Sequence, residues 1–263
     1  NVTEIDLTTV VPAVAATGGC ISGEYGWGPI MERKLLGSED TLANMFGKPT
    51  NTTAIPFFTA ANFLAYGNSL QVVRAEQTGQ LNASTDGAGI LIKNDDDWEN
   101  NFEGGQNIIA DAYFTAKHAG KIGNSLKVSI CPTAAAFEST HTVDTVGTAL
   151  TLADADEHIV VGSLVITGDG QTKIVTAVDA TGATLDSALD ADLTATAVTV
   201  QWEYATSFDG APGTSPYAEK RGAVNDEIHV AVIDEDGEVS GTKGQVIEKF
   251  AFISKAPGAL NAD

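Results

Sequence analysis

Between Ser139 and Asp209 the chain stops reading as one kind of fold and starts reading as another. That change constrains the architecture more than any single motif does. The segment holds eleven acidic residues and one basic residue, Lys173, and Thr, Val, Ala and Asp dominate it. Short β-like runs recur at residues 148–152, 159–166, 173–178 and 197–202, separated by turns such as Gly168-Asp169-Gly170 and Ala180-Thr181-Gly182. Short strands at this spacing predict a small all-β barrel or sandwich. Before the segment, helix, glycine stop and strand follow one another quickly, which is the grammar of a compact α/β (α+β) layer. That grammar resumes afterwards. The expected organisation is a discontinuous α/β domain over residues 15–138 and 210–263, an inserted acidic β module over residues 139–209, and an N-terminal strand-adding arm over residues 1–14.

The arm is read from alternation: Glu4, Asp6 and Thr8 on one side, Ile5, Leu7 and Thr9 on the other, with no turn nearby to supply a hairpin partner. Such a strand pairs within its own chain or on the edge of a neighbour's sheet. Residues 15–21 are small and apolar and predict a buried strand, followed by the loop Glu24-Tyr25-Gly26-Trp27-Gly28-Pro29. Ser38 is a good N-cap, Glu39 and Asp40 suit the first turn, Leu42, Met45 and Phe46 share a face, and Gly47 stops that helix. A second helix starts near Pro56 and carries Phe57, Ala60, Ala61 and Leu64 towards Gly67. Residues 70–74 read as a strand. Asp95-Asp96-Asp97 opens a short helix with Trp98 and Phe102, and Ile122-Gly123-Asn124-Ser125 turns into a strand over residues 126–131. Residues 227–233 and 245–253 read as a hairpin about Asp236-Gly237.

Several function classes are excluded by charge and spacing. Fourteen Lys and Arg against 35 Asp and Glu give a net charge of −21, which repels phosphate and argues against direct nucleic-acid binding. No apolar run approaches the ~20 residues needed to cross a bilayer, so membrane insertion is not expected. The acidic first ten residues do not read as a signal peptide. Cys20 and Cys131 sit in apolar, strand-like contexts and are expected as two buried free thiols, in keeping with a reducing cytoplasm. None of His118, His141, His158 and His229 has a second histidine or cysteine at ligand spacing. His229 falls on the Glu227 and Ala231 side of its strand, a polar face expected to be solvated. The aspartate run 95–97 lacks a glycine-centred calcium loop, and Asp234, Glu235, Asp236 and Glu238 read as solvated charge around a turn. There is no nucleophile elbow, no phosphate-cradling glycine loop and no dinucleotide fingerprint. The expectation is a non-enzyme with no catalytic residues, no cofactor and no metal.

The motifs themselves carry a resemblance. Glu24-Tyr25-Gly26-Trp27-Gly28-Pro29, Phe46-Gly47-Lys48-Pro49, and the run Phe58-Thr59-Ala60-Ala61-Asn62-Phe63-Leu64-Ala65-Tyr66-Gly67-Asn68-Ser69-Leu70-Gln71-Val72-Val73-Arg74-Ala75 resemble the N-terminal half of tail sheath proteins of contractile-tailed bacteriophages. Gly120-Lys121-Ile122-Gly123-Asn124-Ser125-Leu126-Lys127-Val128 is similar to that family's turn and strand after its first variable insertion, and residues 227–254 fit the hairpin preceding its C-terminal region. The resemblance covers roughly half the chain, in order.

It implies a structural subunit of the virion, assembled in the host cytoplasm. Such subunits polymerise helically with copies of themselves around a tail tube protein, between baseplate and tail terminator proteins, and contract to drive the tube through the bacterial envelope. Val2, Ile5 and Leu7 would then be the strand-adding face of the arm, and the acidic module would face outward. The family continues into a tube-contacting C-terminal domain that this sequence does not reach, so the expectation is part of a longer chain, with a shortened relative, lacking tube contact and contraction, as the alternative. Other readings stay open: a sheath-like part of a baseplate, tail end or phage-like bacterial injection particle; a surface-binding module, for which the strand around Trp202 offers few aromatics; and an enzyme, for which no constellation is present.

Overall fold

A computed structural model describes residues 18–85, 87–105, 107, 112–152 and 159–259. The expected arm, with Val2, Ile5 and Leu7, and also His158, lie outside the described residues. The chain forms two compact units, one ending at Leu126 and one beginning at Lys127.

The first unit is built on a three-stranded mixed sheet. Its strands are β1 (Gly19–Gly23), β2 (Arg33–Leu36) and β3 (Leu70–Arg74), in the order β1-β3-β2. β1 runs parallel to β3 and β2 antiparallel to it. Two helices cross between β2 and β3: α1 (Glu39–Phe46) and α2 (Ala54–Leu64). Ser38 caps α1 as expected, its side chain accepting from Thr41 N, while Ser38 N donates in return to the Thr41 hydroxyl in a capping box. Leu42 and Phe46 on α1 meet Phe57, Ala60, Ala61 and Leu64 on α2, and both helices pack on Leu70 and Val72 of β3. Burying each large side chain of this set stabilises the unit by ~1.5–3 kcal/mol. β1 departs from expectation: it is a half-exposed edge strand rather than a buried one, and Cys20 is exposed on it. Only one of its flanks is covered, because β3 lies on one side and no strand pairs with the other among the described residues.

Further along this unit, α3 (Asp95–Asn101) starts at the three aspartates, with Asn94 as N-cap and Trp98 stacked on Phe102 at 6.1 Å. A 3-10 turn over Lys121–Ser125 then leads into β4 (Leu126–Cys131), the first strand of the second unit's sheet.

The second unit combines that sheet with a closed barrel. After β4 come α4 (Ala134–Phe137) and six barrel strands: β5 (Glu138–Val146), β6 (Ala149–Leu152), β7 (Leu164–Ile166), β8 (Thr172–Val178), β9 (Gly182–Leu185) and β10 (Thr196–Gln201). They close in the order β10-β5-β6-β9-β8-β7, every neighbour antiparallel, with β7 pairing back onto β10. Val143, Leu150, Val165, Val175, Leu185, Val198 and Val200 fill the interior, as in any barrel too narrow to hold a channel. Of the two architectures that the short strands predicted, the structure has the barrel. Closure leaves no free sheet edge in it. β5 and β9 were not apparent from the residue pattern. Their Thr, Ser and Gly content dilutes the apolar alternation.

The chain then passes through a 3-10 turn (Ala205–Ser207) and α5 (Pro216–Glu219) to β11 (Glu227–Asp234) and β12 (Gln245–Ser254). The three-stranded sheet has the order β12-β11-β4, so two of its neighbours in space, β4 and β11, are separated in sequence by the whole barrel. Cys131, Trp202, Tyr204, Phe208, Ala231 and Ile233 pack together beneath it. The hairpin is present, but residues 235–244 form a longer connection than the two-residue turn expected at Asp236-Gly237.

Candidate functional site

The sequence motifs of the first unit converge on one buried side chain. Leu70, Val72 and Arg74 share the inward face of β3, so the two-residue period that buries the first two carries the arginine inward as well. Arg74 is 1% exposed. Its Nη1 donates to the main-chain carbonyls of Gly28 at 2.7 Å and Ala119 at 2.8 Å, and no carboxylate pairs with it among the described residues. Burial pulls its pKa down to about 10, which still leaves the guanidinium charged at neutral pH. Its Nε has no hydrogen-bond partner among the described residues.

The partners of Arg74 lie in the two glycine-rich motifs. Gly120 has φ +140°, and a Cβ there would stand 2.2 Å from Gly26 O. Only glycine lets these two loops touch. Trp27 donates its backbone N–H to Phe46 O at 3.1 Å and meets the His118 ring edge-on at 5.4 Å. Asn82, fully buried, donates to Ala116 O and accepts from Ile92 N, tying the polar stretch after β3 into the same junction. Burial, reinforced by the positive charges of Lys117 and Arg74, pushes the half-buried His118 imidazole down to about 4, and its Nδ1 has no partner among the described residues. The arrangement fastens loops together.

In the second unit three polar residues expected at the surface, or passed over, are buried. His229 is fully buried rather than solvated. β11 is the central strand, and the face bearing His229, Ala231 and Ile233 is the one covered by aromatic side chains. Asp234 is also fully buried. It accepts from Gly237 N, Val239 N, Ser240 N and the Ser240 hydroxyl, at 2.6–3.1 Å, and so organises the 235–244 connection instead of standing as solvated charge. Asp226 accepts from Ser254 Oγ, Ser215 Oγ and Ser215 N, which holds its carboxyl down at about 2. It joins the end of β12 to the start of α5.

The barrel is connected to the rest of its unit through a narrow neck. Its first and last strands are neighbours, with Glu138 opposite Gln201 in the register and their side chains bonded at 2.8 Å. One residue further out, Trp202 N donates to Phe137 O, and the indole N–H reaches Ser129 Oγ on β4. Lys127 on β4 pairs with Glu203 at 3.4 Å. His141 lies on β5 with Nε2 2.7 Å from Ser139 Oγ.

Part of the open apolar surface lies on α2. Ile55 and Phe58 are exposed on it, and Tyr66 just beyond its end is almost completely exposed, while the opposite face of the helix is core. Beside them a shallow cleft of about 410 Å³ is lined by Ile21, Ser22 and Glu24 from the β1 side and by Ile55, Pro56 and Thr59 of α2. No group of three metal-ligating side chains occurs among the described residues, and no helix among them is long and apolar enough to cross a membrane. Asp97 at the start of α3 is spent on Lys93 N and Asn101.

Arg74, Asp234 and Asp226 were not singled out as determinants by residue type or spacing. Arg74 could have been found from the burial period of its own strand. The other two depend on loop geometry that no local pattern encodes.

No family model matches the chain. Over 75 residues, 27% of this chain and 11% of the relative, it is 45% identical to the tail sheath protein of Enterobacteria phage T4. It is 39% identical over 71 residues to the tail sheath protein of Vibrio phage KVP40, again 11% of that protein. A longer match, 29% identical over 134 residues, covers 50% of this chain and 20% of the tail sheath protein of Salmonella phage ViI. Each match therefore spans a fifth or less of the curated relative's length. The resemblance to phage tail sheath proteins read from the motifs is borne out by these three relatives.

Proposed function

We propose that this chain is a structural subunit of a contractile phage tail sheath. The single observation that carries the reading is the match, over up to half of the chain, to three tail sheath proteins. In this role the subunit polymerises helically with copies of itself around the tail tube, between baseplate and terminator proteins. It contracts in the virion to drive the tube through the bacterial envelope, after assembly in the host cytoplasm. Head-to-tail contacts that do not close give helical arrays. Rigid units joined by strand exchange can rotate without parting.

The geometry supports a division of labour within the subunit. Residues 15–138 and 210–263 make the sheath domain, and the Arg74 junction fastens the loops of its first unit. The barrel joins its unit at adjacent strand ends, Glu138 and Gln201, which favours residues 139–209 as an inserted module. That module holds eleven of the chain's 35 carboxylates and one of its 14 basic side chains. Such charge keeps a crowded polymer soluble when it faces outward. Residues 1–14 are the linking arm, with Val2, Ile5 and Leu7 as its pairing face. Catalysis, cofactors and metals have no part in this function.

The test is electron microscopy of native particles labelled with gold-conjugated antibody against the chain. Regular label along the whole tail, kept as the tail shortens, is the expected result. Label at one end only moves the chain to a baseplate or terminator role, and label on no tail sinks the assignment.

A further inference from the structure

Among the described residues, β12 is the outer strand of the second unit's sheet and an exposed edge with an unusual backbone. β12 is ten residues long and carries Phe250, Phe252 and Ile253, each about 40–50% exposed. A long apolar edge of this kind is a template for pairing with another strand. β12 is not regular, however. Its pairing with β11 slips twice, once between Val232 and Ile233 and once between Ile228 and Val230. At the second slip Ala251 and Phe252 together stand opposite His229, and Phe252 takes φ +55°. A bulky residue adopts that left-handed backbone only where its surroundings impose it.

His229 supplies the imposing contact. Its Nδ1 accepts from Phe252 N at 3.0 Å, and its Nε2 meets Gly210 O at 2.8 Å. A backbone amide can only donate and a carbonyl can only accept, so the neutral ring carries its proton on Nε2. The imidazole is stacked on Phe208 at 4.6 Å and lies against the Phe252 ring at 4.7 Å, edge to face. It cannot turn away from either partner without opening that aromatic cluster.

We propose that His229 is the latch of an edge guard: it locks β12 into a bulged form whose twisted edge cannot pair with the β12 edge of a second copy of this chain. Bulges accentuate strand twist and break the row of edge hydrogen-bonding groups, and natural sheets use them against edge-to-edge association. The latch lets a subunit expose three large apolar side chains on an outer strand without joining its neighbours there. The proposal is independent of the sheath reading, since it concerns one edge of one sheet.

Two variants of the full chain test it. His229→Phe keeps an aromatic ring and removes both hydrogen bonds. Deleting Ala251 removes the extra residue and restores a regular ladder while leaving His229 in place. Hydrogen exchange at the Phe252 amide reports the latch, and sedimentation velocity over a concentration series reports association. The expected result is exchange at least tenfold faster in His229→Phe, and self-association at least tenfold tighter than wild type in both variants. Adding Phe250→Lys, a charge on the edge, should reverse that association. Unchanged exchange in His229→Phe overturns the latch. Should His229→Phe fail to fold, the Ala251 deletion decides alone, and its association no tighter than wild type overturns the guard.

Discussion

Arg74 and Gly28 stand 46 residues apart in sequence, yet the guanidinium Nη1 of one lies 2.7 Å from the carbonyl oxygen of the other. The same nitrogen reaches Ala119 O, 45 residues away in the other direction. One buried cation thus sets the spacing between two loops that have no regular secondary structure of their own. Carbonyl oxygens rather than a carboxylate receive the charge, and both are reached by one nitrogen, so the contact depends on where the side chain ends as well as on its sign.

Substitution at Arg74 should therefore be costly even when the charge is kept. Arg74→Lys ends one bond short of the nitrogen that donates to both carbonyls, and Arg74→Met leaves both without their donor. Hydrogen bonds to a charged group contribute about 1.5–3 kcal/mol each, so a loss of about 2–4 kcal/mol is expected for either change. Urea denaturation followed by the emission of Trp27, which packs at this junction, measures it. A lysine variant as stable as wild type would show that the two loops are held by packing alone.

Two glycines of the same junction make a matched pair. A Cβ on Gly120 would stand 2.2 Å from Gly26 O, in a backbone region closed to other residues, whereas a Cβ on Gly26 would meet nothing within 4 Å. Gly120→Ala is expected to destabilise by about 3 kcal/mol or more, through overlap and strain together. Gly26→Ala should change stability by less than about 1 kcal/mol. The two midpoints in one urea series decide the matter, and equal effects would contradict the close approach.

Much of this fold was readable before any coordinates. The caps and glycine stop of α1, the buried face of α2, the strand ending at Arg74, the aspartate start of α3 and the barrel's short strands are all local signals: periodicity, capping chemistry and turn residues. The misreadings share one cause. Cys20 was expected to be buried because its neighbours are apolar, but burial on β1 is decided by its place at the sheet edge. His229 and Asp234 were expected in water because they are polar. His229 is instead enclosed by partners brought from distant residues, Gly210 and Phe252, and Asp234 by the 237–240 amides of the irregular connection that follows it. Neither kind of enclosure has a period to read.

The two thiols should separate cleanly in reactivity. Cys20 is exposed on an edge strand, while Cys131 is fully buried, its Sγ donates to Thr133 O at 3.3 Å, and burial raises its pKa to about 11. The thiolate is the reactive form. Ellman's reagent at neutral pH is expected to titrate one thiol per native chain promptly and the second only in denaturant. Two fast thiols would mean that the cluster around Trp202 and Phe208 opens readily.

Asp234 offers a test of the connection between β11 and β12. Its carboxylate collects three main-chain amides and a hydroxyl within residues 237–240. Asp234→Asn keeps the volume but replaces one acceptor oxygen with a donor facing amide N–H groups. A loss of about 2–3 kcal/mol is expected, because buried amides are left unpaired, together with faster hydrogen exchange confined to residues 235–244. Loss of stability without that local exchange signature would place the cost in the strands.

His118 gives the first unit an acid sensitivity with a definite sign. Its folded pKa, about 4, is below the value near 6.5 of an unfolded chain. Between those values the unfolded chain binds a proton that the folded chain refuses. Stability is therefore complete above about pH 6.5 and declines as pH falls towards 4. The half-buried ring keeps some access to water, so the loss is discounted to on the order of 2 kcal/mol. Carboxylates such as Asp226 lose stabilisation over a lower range, nearer its folded pKa of about 2, and overlap this decline only in part. The clean measurement is the difference between wild type and His118→Phe, which keeps a ring against Trp27 and cannot titrate. Urea midpoints at pH 7.5 and pH 4.5 should fall further for wild type than for the variant. Parallel declines would mean that His118 is solvated in the folded chain and that burial does not govern its charge.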